Sequence, residues 1–159
     1  TLTAMAADAP IPDMDDLFEG DAVLWDITHE VASTYLGYEL PTVEAREAGA
    51  RLARMADSYD LVMFETFLTD LAGHRRLEPE AILPRLDGFL GGFLEHRRAG
   101  TTLVLSSDHG NLEDCSTRSH TRNPVPLLVV GPEAGRFLDA ETILDVAPGI
   151  LAALSDGRT

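Results

Sequence analysis

The sequence has a single cysteine, few basic residues and no long apolar run. Because Cys115 is the only cysteine, no internal disulfide can form, and the count is typical of a protein from a reducing compartment. No apolar stretch approaches the length of a membrane span, and the first 20 residues carry several acids but no Lys or Arg, unlike a signal or transit peptide. We therefore predict a cytoplasmic protein.

The charge balance is strongly acidic. Twelve Lys and Arg residues stand against 27 Asp and Glu residues, which gives a formal net charge of -15 at pH 7. A surface of this kind repels the backbone of a nucleic acid and the head groups of an anionic membrane. We therefore predict neither a nucleic-acid partner nor a membrane partner.

The length fits one domain. A chain of 159 residues with 45% hydrophobic content can bury one ordinary core and is too short for two. We therefore expect residues 1–159 to form a single domain. The chain begins with Thr1 and not with Met, so we also expect it to be a processed, cleaved or truncated piece.

Short apolar runs predict β-strands. Each run is too short for a stable helix and is rich in bulky or branched residues. The predicted strands cover residues 22–28, 60–67, 101–107 and 125–130. Several are apolar on both faces and alternate with helical patterns. We therefore predict an α/β fold with a mostly parallel sheet and helices on both faces.

Helical spacing of apolar residues separates these runs. One predicted helix follows Pro41, with Thr42 as its N-cap, and a closing helix covers residues 143–154. Another lies between residues 79 and 100. Either Pro79 is its first residue, at the cost of an interior hydrogen bond at Pro84, or its regular part begins near residue 84. Residues 1–20 have little periodicity, so we predict a loop or a short cap there.

Five side chains with metal-binding chemistry lie at the ends of predicted strands or just beyond them: Asp70, His74, Asp108, His109 and His120. The carboxyl ends of parallel strands share one edge of a sheet, so these side chains are expected to converge. Carboxylate oxygen and neutral imidazole nitrogen suit Zn²⁺ and Mn²⁺, and two such ions can clamp the attacking and leaving oxygens of a phosphoryl displacement. The set predicts a site for two divalent cations.

Each residue alone also has an ordinary structural explanation. An Asp four residues before a His is common on helix surfaces, and this would account for Asp70 and His74. Asp108 would equally serve as an N-cap, and His120 as a hydrogen-bonded loop residue. The metal interpretation therefore depends on the combination of all these residues at one edge.

Three phrases within residues 60–130, FLTDLAGH, SSDHGNLED and SHTRNPVP, resemble the C-terminal motifs of the alkaline phosphatase superfamily. The relevant branch contains cofactor-independent phosphoglycerate mutase and phosphopentomutase. The resemblance implies that Asp70, His74 and His120 hold one metal, and that Asp108 and His109 hold a second. Mn²⁺ or Zn²⁺ is the expected metal in both positions.

The resemblance also implies that part of the site lies outside this chain. Family members complete the second metal site with an aspartate and with a Ser or Thr nucleophile that becomes phosphorylated, both from an N-terminal segment. No matching segment precedes Ala22. We therefore expect an alkaline phosphatase-like fold that is incomplete at its N-terminus and a second metal that binds weakly. The uncovered sheet edge would pair with the missing segment or with a second copy of the chain.

By resemblance, the intact protein is a metal-dependent phosphomutase or phosphatase that acts on a small phosphorylated substrate. Asn111, Glu113 and Arg122 are candidates for supporting the ligands or anchoring the substrate, and their alternative roles are turn formation and surface solvation. Two other hypotheses stay open: a noncatalytic or degenerate metal-binding module, and a superfamily hydrolase of another ester.

Overall fold

The computed structural model describes residues 6–37, 39–114 and 116–156, so the single cysteine, Cys115, lies outside the described residues. The α-helices are α1 (Met14–Glu19), α2 (Glu30–Leu36), α3 (Ala45–Ala56), α4 (Leu68–Gly73), α5 (Pro79–His96) and α6 (Val146–Asp156). Short 3-10 helices cover Pro132–Phe137 and Ile143–Asp145, and the strands are β1 (Leu103–Ser106) and β2 (Leu127–Val130). Across the described ranges, no helix combines the length and the apolarity that crossing a bilayer requires.

The core is organised around the packing of α3 against α5. Glycines allow the two backbones to touch: a Cβ on Gly49 would lie 2.0 Å from the carbonyl oxygen of Phe89, and one on Gly92 would lie 2.1 Å from that of Arg46. Apolar side chains from both helices and their neighbours close around this contact. The buried cluster includes Ile27, Val31, Val43, Leu52, Leu68, Ile82, Phe89 and Phe93.

The predicted helices in the middle of the chain are confirmed, with corrected starting points. Helix α3 is capped at Glu44 and not at Thr42, because the backbone remains extended through Glu44. Helix α5 begins at Pro79, the first of the two predicted starts, and not near residue 84. Pro79 lies in the first turn, where its missing N–H costs no intrahelical bond, and the helix tolerates the single bond lost at Pro84.

The two ends of the chain contain helices with clear capping. The prediction of a loop or cap over residues 1–20 misses α1, which begins with a capping box between Asp13 and Asp16 and ends at Gly20 in a left-handed conformation. The predicted closing helix is confirmed as a 3-10 turn followed by α6. A second capping box, between Thr142 and Asp145, starts that 3-10 turn.

Two of the predicted strands are confirmed, and they pair in an antiparallel manner. In the pairing of β1 with β2, Leu103 lies opposite Val130 and Ser106 lies opposite Leu127. This is the one sheet in the described ranges, so the predicted mostly parallel sheet is not observed in them. Helices combined with a sheet agree with the α/β class, whereas a parallel sheet covered on both faces stays a prediction.

Residues 22–28 do not form the predicted strand. Instead, Ile27 and His29 adopt left-handed backbone conformations, with φ of 70° and 68°. The buried carboxylate of Asp26 accepts hydrogen bonds from the backbone N–H of His29 at 3.2 Å and of Ala32 at 2.9 Å. These turns lead directly into α2, and the apolar residues of the run fill the core from a turn.

Residues 60–67 also lie outside any strand, although their side chains alternate as in one. Val62 and Phe64 pack against the core, whereas Leu61, Met63 and Phe67 are exposed. Within the described part of the chain, residues 61–66 make no backbone–backbone hydrogen bond. Side-chain burial alternates with a period of two residues, as in a β-strand, but the described residues provide no neighbouring strand for this segment to pair with.

Candidate metal centre

The antiparallel pairing of β1 and β2 folds their connection back on itself and brings His109 close to His120. An isolated antiparallel bridge joins Gly110 to Thr121, and the N–H of Thr121 donates to the Gly110 carbonyl at 2.8 Å. Each histidine is the residue directly before one end of this bridge. Their rings are stacked, with centroids 3.6 Å apart and planes inclined by 15°.

Helix α4 adds Asp70 to the two stacked histidines. Ligand atoms of Asp70, His109 and His120 all lie within 4.8 Å of one another. The Nε2 atoms of His120 and His109 are 3.2 Å and 3.8 Å from Oδ1 of Asp70. One carboxylate oxygen therefore faces two imidazole nitrogens that come from a different part of the chain.

His74, directly after α4, completes a compact group of four side chains. Its Nε2 lies 3.3 Å from Oδ1 of Asp70 and 3.2 Å from Nε2 of His120. Three ring nitrogens thus converge on a single carboxylate oxygen, and all four side chains are partly exposed. The predicted convergence of the motifs is observed for these four residues.

Asp108, the remaining predicted ligand, is more open. Its side chain is 83% exposed, and its Oδ1 lies 3.6 Å from Nε2 of His109. His109 consequently lies between Asp70 and Asp108, within reach of both carboxylates. The arrangement is therefore one compact group of four side chains, with the exposed Asp108 attached to it through His109.

The hydrogen bond of His74 fixes which of its ring nitrogens faces the site. Its Nδ1 lies 2.6 Å from the carbonyl oxygen of Arg118. A carbonyl oxygen can only accept, so Nδ1 is the donor, and the Nε2 of the neutral ring presents a lone pair to Asp70. A backbone carbonyl on the outer nitrogen is the usual support of a metal-binding histidine.

The electrostatics of the group call for a cation. A carboxylate and an imidazole lone pair directed at the same point repel each other unless positive charge lies between them. A proton on one ring would relieve one contact. A divalent cation would satisfy the carboxylate and several ring nitrogens at once, and a set of nitrogen and oxygen donors is the chemistry that Zn²⁺ and Mn²⁺ accept.

Asn111 contacts a predicted ligand directly. It is 5% exposed, and its Nδ2 donates to Oδ1 of Asp70 at 3.0 Å and more weakly to the Asp70 carbonyl at 3.4 Å. Its own Oδ1 is buried and has no hydrogen-bond partner within the described residues. Helix α4 can approach this closely because residue 73 is glycine: a Cβ on Gly73 would lie 2.4 Å from Oδ1 of Asn111.

Glu113 and Arg122, the other support candidates, differ from each other. Glu113 is bonded to the N–H of Asn111 and to the side chains of Thr121 and Asn123. The hydroxyl of Thr121, first among these donors, lowers the pKa of Glu113 to about 2. Arg122 is exposed and forms no ion pair within the described ranges.

Gly73, Thr121 and Asn123 support the site without a sequence signal of their own. Their contacts with Asn111 and Glu113 join segments that are separate in the chain. No local spacing predicts them.

Comparison with known proteins agrees with this site. A family model described as the Metalloenzyme superfamily matches residues 7–155. The chain is 37% identical over 128 residues to the 2,3-bisphosphoglycerate-independent phosphoglycerate mutase of Desulforudis audaxviator, across 74% of this chain and 25% of the relative. No solved structure matches the chain significantly.

Other relatives with the same name give similar results. The enzyme of Paracoccus denitrificans is 36% identical over 126 residues, across 72% of this chain and 25% of its own length. That of Syntrophotalea carbinolica is 32% identical over 146 residues, across 84% and 28%. The chain thus spans about a quarter of the length of these curated relatives. Because the family model covers nearly all of the described residues, the chain belongs to the Metalloenzyme superfamily, which confirms its resemblance to alkaline phosphatase-like metalloenzyme domains and supports binding of divalent metal.

Proposed function

We propose that this chain is the metal-binding portion of a metal-dependent phosphoryl-transfer enzyme that acts on a small phosphate ester. The observation that carries the proposal is the convergence of the Nε2 atoms of His74, His109 and His120 on Oδ1 of Asp70. Membership in a metalloenzyme family and relatives named as phosphoglycerate mutases support it.

Two divalent cations, Mn²⁺ or Zn²⁺, are proposed to bind. Asp70, His74 and His120 would hold the first, and Asp108 and His109 would hold the second. The high exposure of Asp108 is consistent with a second site that stays weak until other ligands complete it. When bound, the ions would neutralise phosphate oxygens and favour the ionised form of an attacking hydroxyl.

The nucleophile is proposed to be a Ser or Thr outside this chain. Its hydroxyl oxygen would bond to phosphorus while the bond from phosphorus to the leaving oxygen breaks, which leaves a phosphoenzyme and a free alcohol. Water would then release inorganic phosphate in a phosphatase, and a hydroxyl of the retained substrate would take the phosphoryl group in a mutase. The names of the relatives favour the mutase.

Arginines beside the ligands support an anionic substrate. Arg76, Arg118 and Arg122 are exposed and form no ion pair among the described residues, whereas arginines elsewhere, such as Arg85 and Arg98, are paired with carboxylates. All 12 basic residues of the chain are arginine, and a guanidinium can bind two phosphate oxygens at once. In a chain of net charge -15, three positive charges that lie within two residues of His74 or His120 in sequence would give an anion a local point of entry.

The segment of residues 60–67 is proposed to pair with the remainder of a longer protein, or with a second copy of the chain. Its alternating burial supports this, and so do the peptide groups of residues 61–66, which make no backbone–backbone hydrogen bond within the described residues. The pairing would build the parallel sheet, covered by helices on both faces, that the sequence predicts. In that arrangement residues 1–159 would be one portion of a larger domain. From the charge and composition of the chain, we further propose that the protein is cytoplasmic and has no nucleic-acid or membrane partner.

A noncatalytic metal-binding module is the alternative for the chain by itself. The open position of Asp108 favours it, because a second cation with few ligands would not be held firmly. A hydrolase of another ester would use the same ligands and a different pocket.

The decisive experiment uses the protein made from the complete gene. With Mn²⁺ or Zn²⁺ added, we expect it to hydrolyse p-nitrophenyl phosphate or to interconvert phosphoglycerates, and Asp70→Asn combined with His120→Ala should lower turnover by more than about 1000-fold. Asp114→Asn is the matched control and should keep normal turnover, because the Asp114 carboxylate lies in the connection between β1 and β2 and its hydrogen bonds among the described residues go to Ser116. Unchanged turnover in the double variant would disprove the assignment.

A further inference from the structure

Glu113 connects the two loops that carry the histidines of the site. Its Oε2 accepts the backbone N–H of Asn111 at 2.6 Å. Its Oε1 accepts the Asn123 amide at 2.9 Å and also the hydroxyl of Thr121. Asn111 belongs to the loop of His109, and Thr121 follows His120 directly. A single carboxylate therefore bonds both loops.

The backbone around Glu113 is fitted to this contact. A Cβ on Gly110 would lie 2.2 Å from Oγ1 of Thr121 and 2.6 Å from Oε1 of Glu113. Only glycine leaves room for the carboxylate and the hydroxyl to meet beside the bridge between Gly110 and Thr121. The stacked rings of His109 and His120 lie one residue away on either side of that bridge.

The chemistry of the contact explains why the residue is an acid. All three partners of Glu113 are donors, and a carboxylate is the side chain that accepts from three donors without offering a proton in return. The lowered pKa keeps it ionised throughout the range in which an enzyme works. Both oxygens of Glu113 already accept hydrogen bonds, and Glu113 lies outside the group formed by Asp70, His109 and His120. It is therefore a neighbour of the metal ligands and not one of them.

We infer that Glu113 is a positioning residue that holds the His120 loop against the His109 loop and thereby sets the spacing of the ring nitrogens for metal. This rests on the proposed function, because the spacing matters only if the nitrogens bind a cation. Glu113 is exposed, so its bonds add little to the stability of the fold. Its contribution is the mutual position of two imidazoles that different loops supply.

The experiment measures Co²⁺ and Mn²⁺ affinity of this chain by calorimetry and by the visible spectrum of bound Co²⁺. Glu113→Gln and Thr121→Val should each weaken affinity by about 10-fold to 100-fold, as loss of an outer support of a metal site does. Thr121→Ser keeps the hydroxyl and should restore affinity to within about 3-fold of the original. Asp114→Asn removes the same charge from the same loop and should behave as the unmodified chain.

A second measurement, without metal, separates this inference from the proposed function. Proton NMR contacts between the rings of His109 and His120 should be present in the unmodified chain and in Asp114→Asn, and lost in Glu113→Gln. If the unmodified chain binds neither ion, the proposed metal centre fails, while the ring contacts still decide the role of Glu113. Unchanged affinity, or unchanged ring contacts, in Glu113→Gln would overturn the positioning role.

Discussion

His74 and Arg118 are joined by a hydrogen bond that spans 44 positions of the chain, from the Nδ1 of the ring to the backbone carbonyl, at 2.6 Å. The bond does two things at once. It ties the end of α4 to the loop of His120, and it turns the other ring nitrogen of His74 toward Asp70. A backbone carbonyl cannot be removed by a side-chain substitution, so the orientation of this ring is built into the path of the loop.

This relationship predicts the tautomer of His74. At a pH where the ring is neutral, long-range ¹H–¹⁵N NMR spectra should show the proton on Nδ1, because the Arg118 carbonyl can only accept. Addition of Zn²⁺ should then move the Nε2 resonance and leave the Nδ1 proton in place. His96, whose Nδ1 lies 2.9 Å from the Gly92 carbonyl and which is remote from the site in sequence, is the control and should not respond to metal. A proton on Nε2 of His74 would contradict the prediction.

The two acidic ligands should differ in importance for this chain. Asp70 faces three ring nitrogens, whereas Asp108 is exposed and contacts one. Asp70→Asn should therefore weaken binding of the first Zn²⁺ by more than about 100-fold, and Asp108→Asn, which makes the same chemical change, by less than about 10-fold. Isothermal titration of both variants checks this. Equal losses would show that the two carboxylates share one site.

The titration of Glu113 should lie far below that of an ordinary glutamate. The Thr121 hydroxyl and the other donors lower its pKa from 4.5 to about 2. Because Glu113 is exposed, solvent screening keeps the contribution of these bonds to stability small. A lowered pKa in the folded state means that this contribution is present above pH 4.5 and disappears as the pH falls from there through about 2.

Carbon NMR of the side-chain carboxyl gives this titration directly. Thr121→Val should raise the pKa of Glu113 toward 4.5, because the first of its donors is lost. The pKa of Asp145, which is lowered by the N–H and hydroxyl of Thr142, should stay unchanged as an internal control. A Glu113 that titrates normally in the unmodified chain would show that its bonds do not form in solution.

The contact between α3 and α5 should be sensitive to a single added methyl group. Gly49→Ala and Gly92→Ala each place a Cβ within 2.1 Å of a carbonyl oxygen of the other helix. The helices must then separate, and we expect a loss of about 2 to 3 kcal/mol in the free energy of unfolding. Gly100→Ala, where a Cβ would meet nothing within 4 Å, is the control and should change stability by less than about 0.5 kcal/mol. Urea unfolding curves decide the matter, and a Gly49→Ala chain of normal stability would refute the close packing.

Local patterns sufficed for α3, α5 and α6 and for β1 and β2, because the periodicity of these elements lies in adjacent residues. They missed α1, α2 and α4, which are only six or seven residues long and too short to show a clear helical period. Residues 22–28 show the limit of such patterns: the same apolar run fills the core from a series of turns, which the buried Asp26 carboxylate stabilises. Residues 60–67 show another limit. Their alternation is that of a strand, but whether a strand forms depends on a neighbour that local sequence cannot supply. The antiparallel direction of β2 also depends on the path of a long connection.

The ligands were predictable because the three sequence motifs that contain them lie at or just beyond the ends of predicted strands. Asp70, His109 and His120 do converge, as the motifs indicated. The supports around them were not predictable in detail. Gly73 matters because of Asn111, and Thr121 matters because of Glu113, and such pairs become visible only when the loops are folded together.

The uncovered peptide groups of residues 61–66 bear on how this polypeptide behaves when it is handled. Met63 is 77% exposed in the same segment, so this edge presents both an apolar side chain and peptide groups that lack a backbone partner. Purified alone, the chain should self-associate through this edge as its concentration rises. Under the proposed pairing, co-production with a segment that covers residues 61–66 should keep the chain in solution, because the exposed peptide groups would then be hydrogen-bonded.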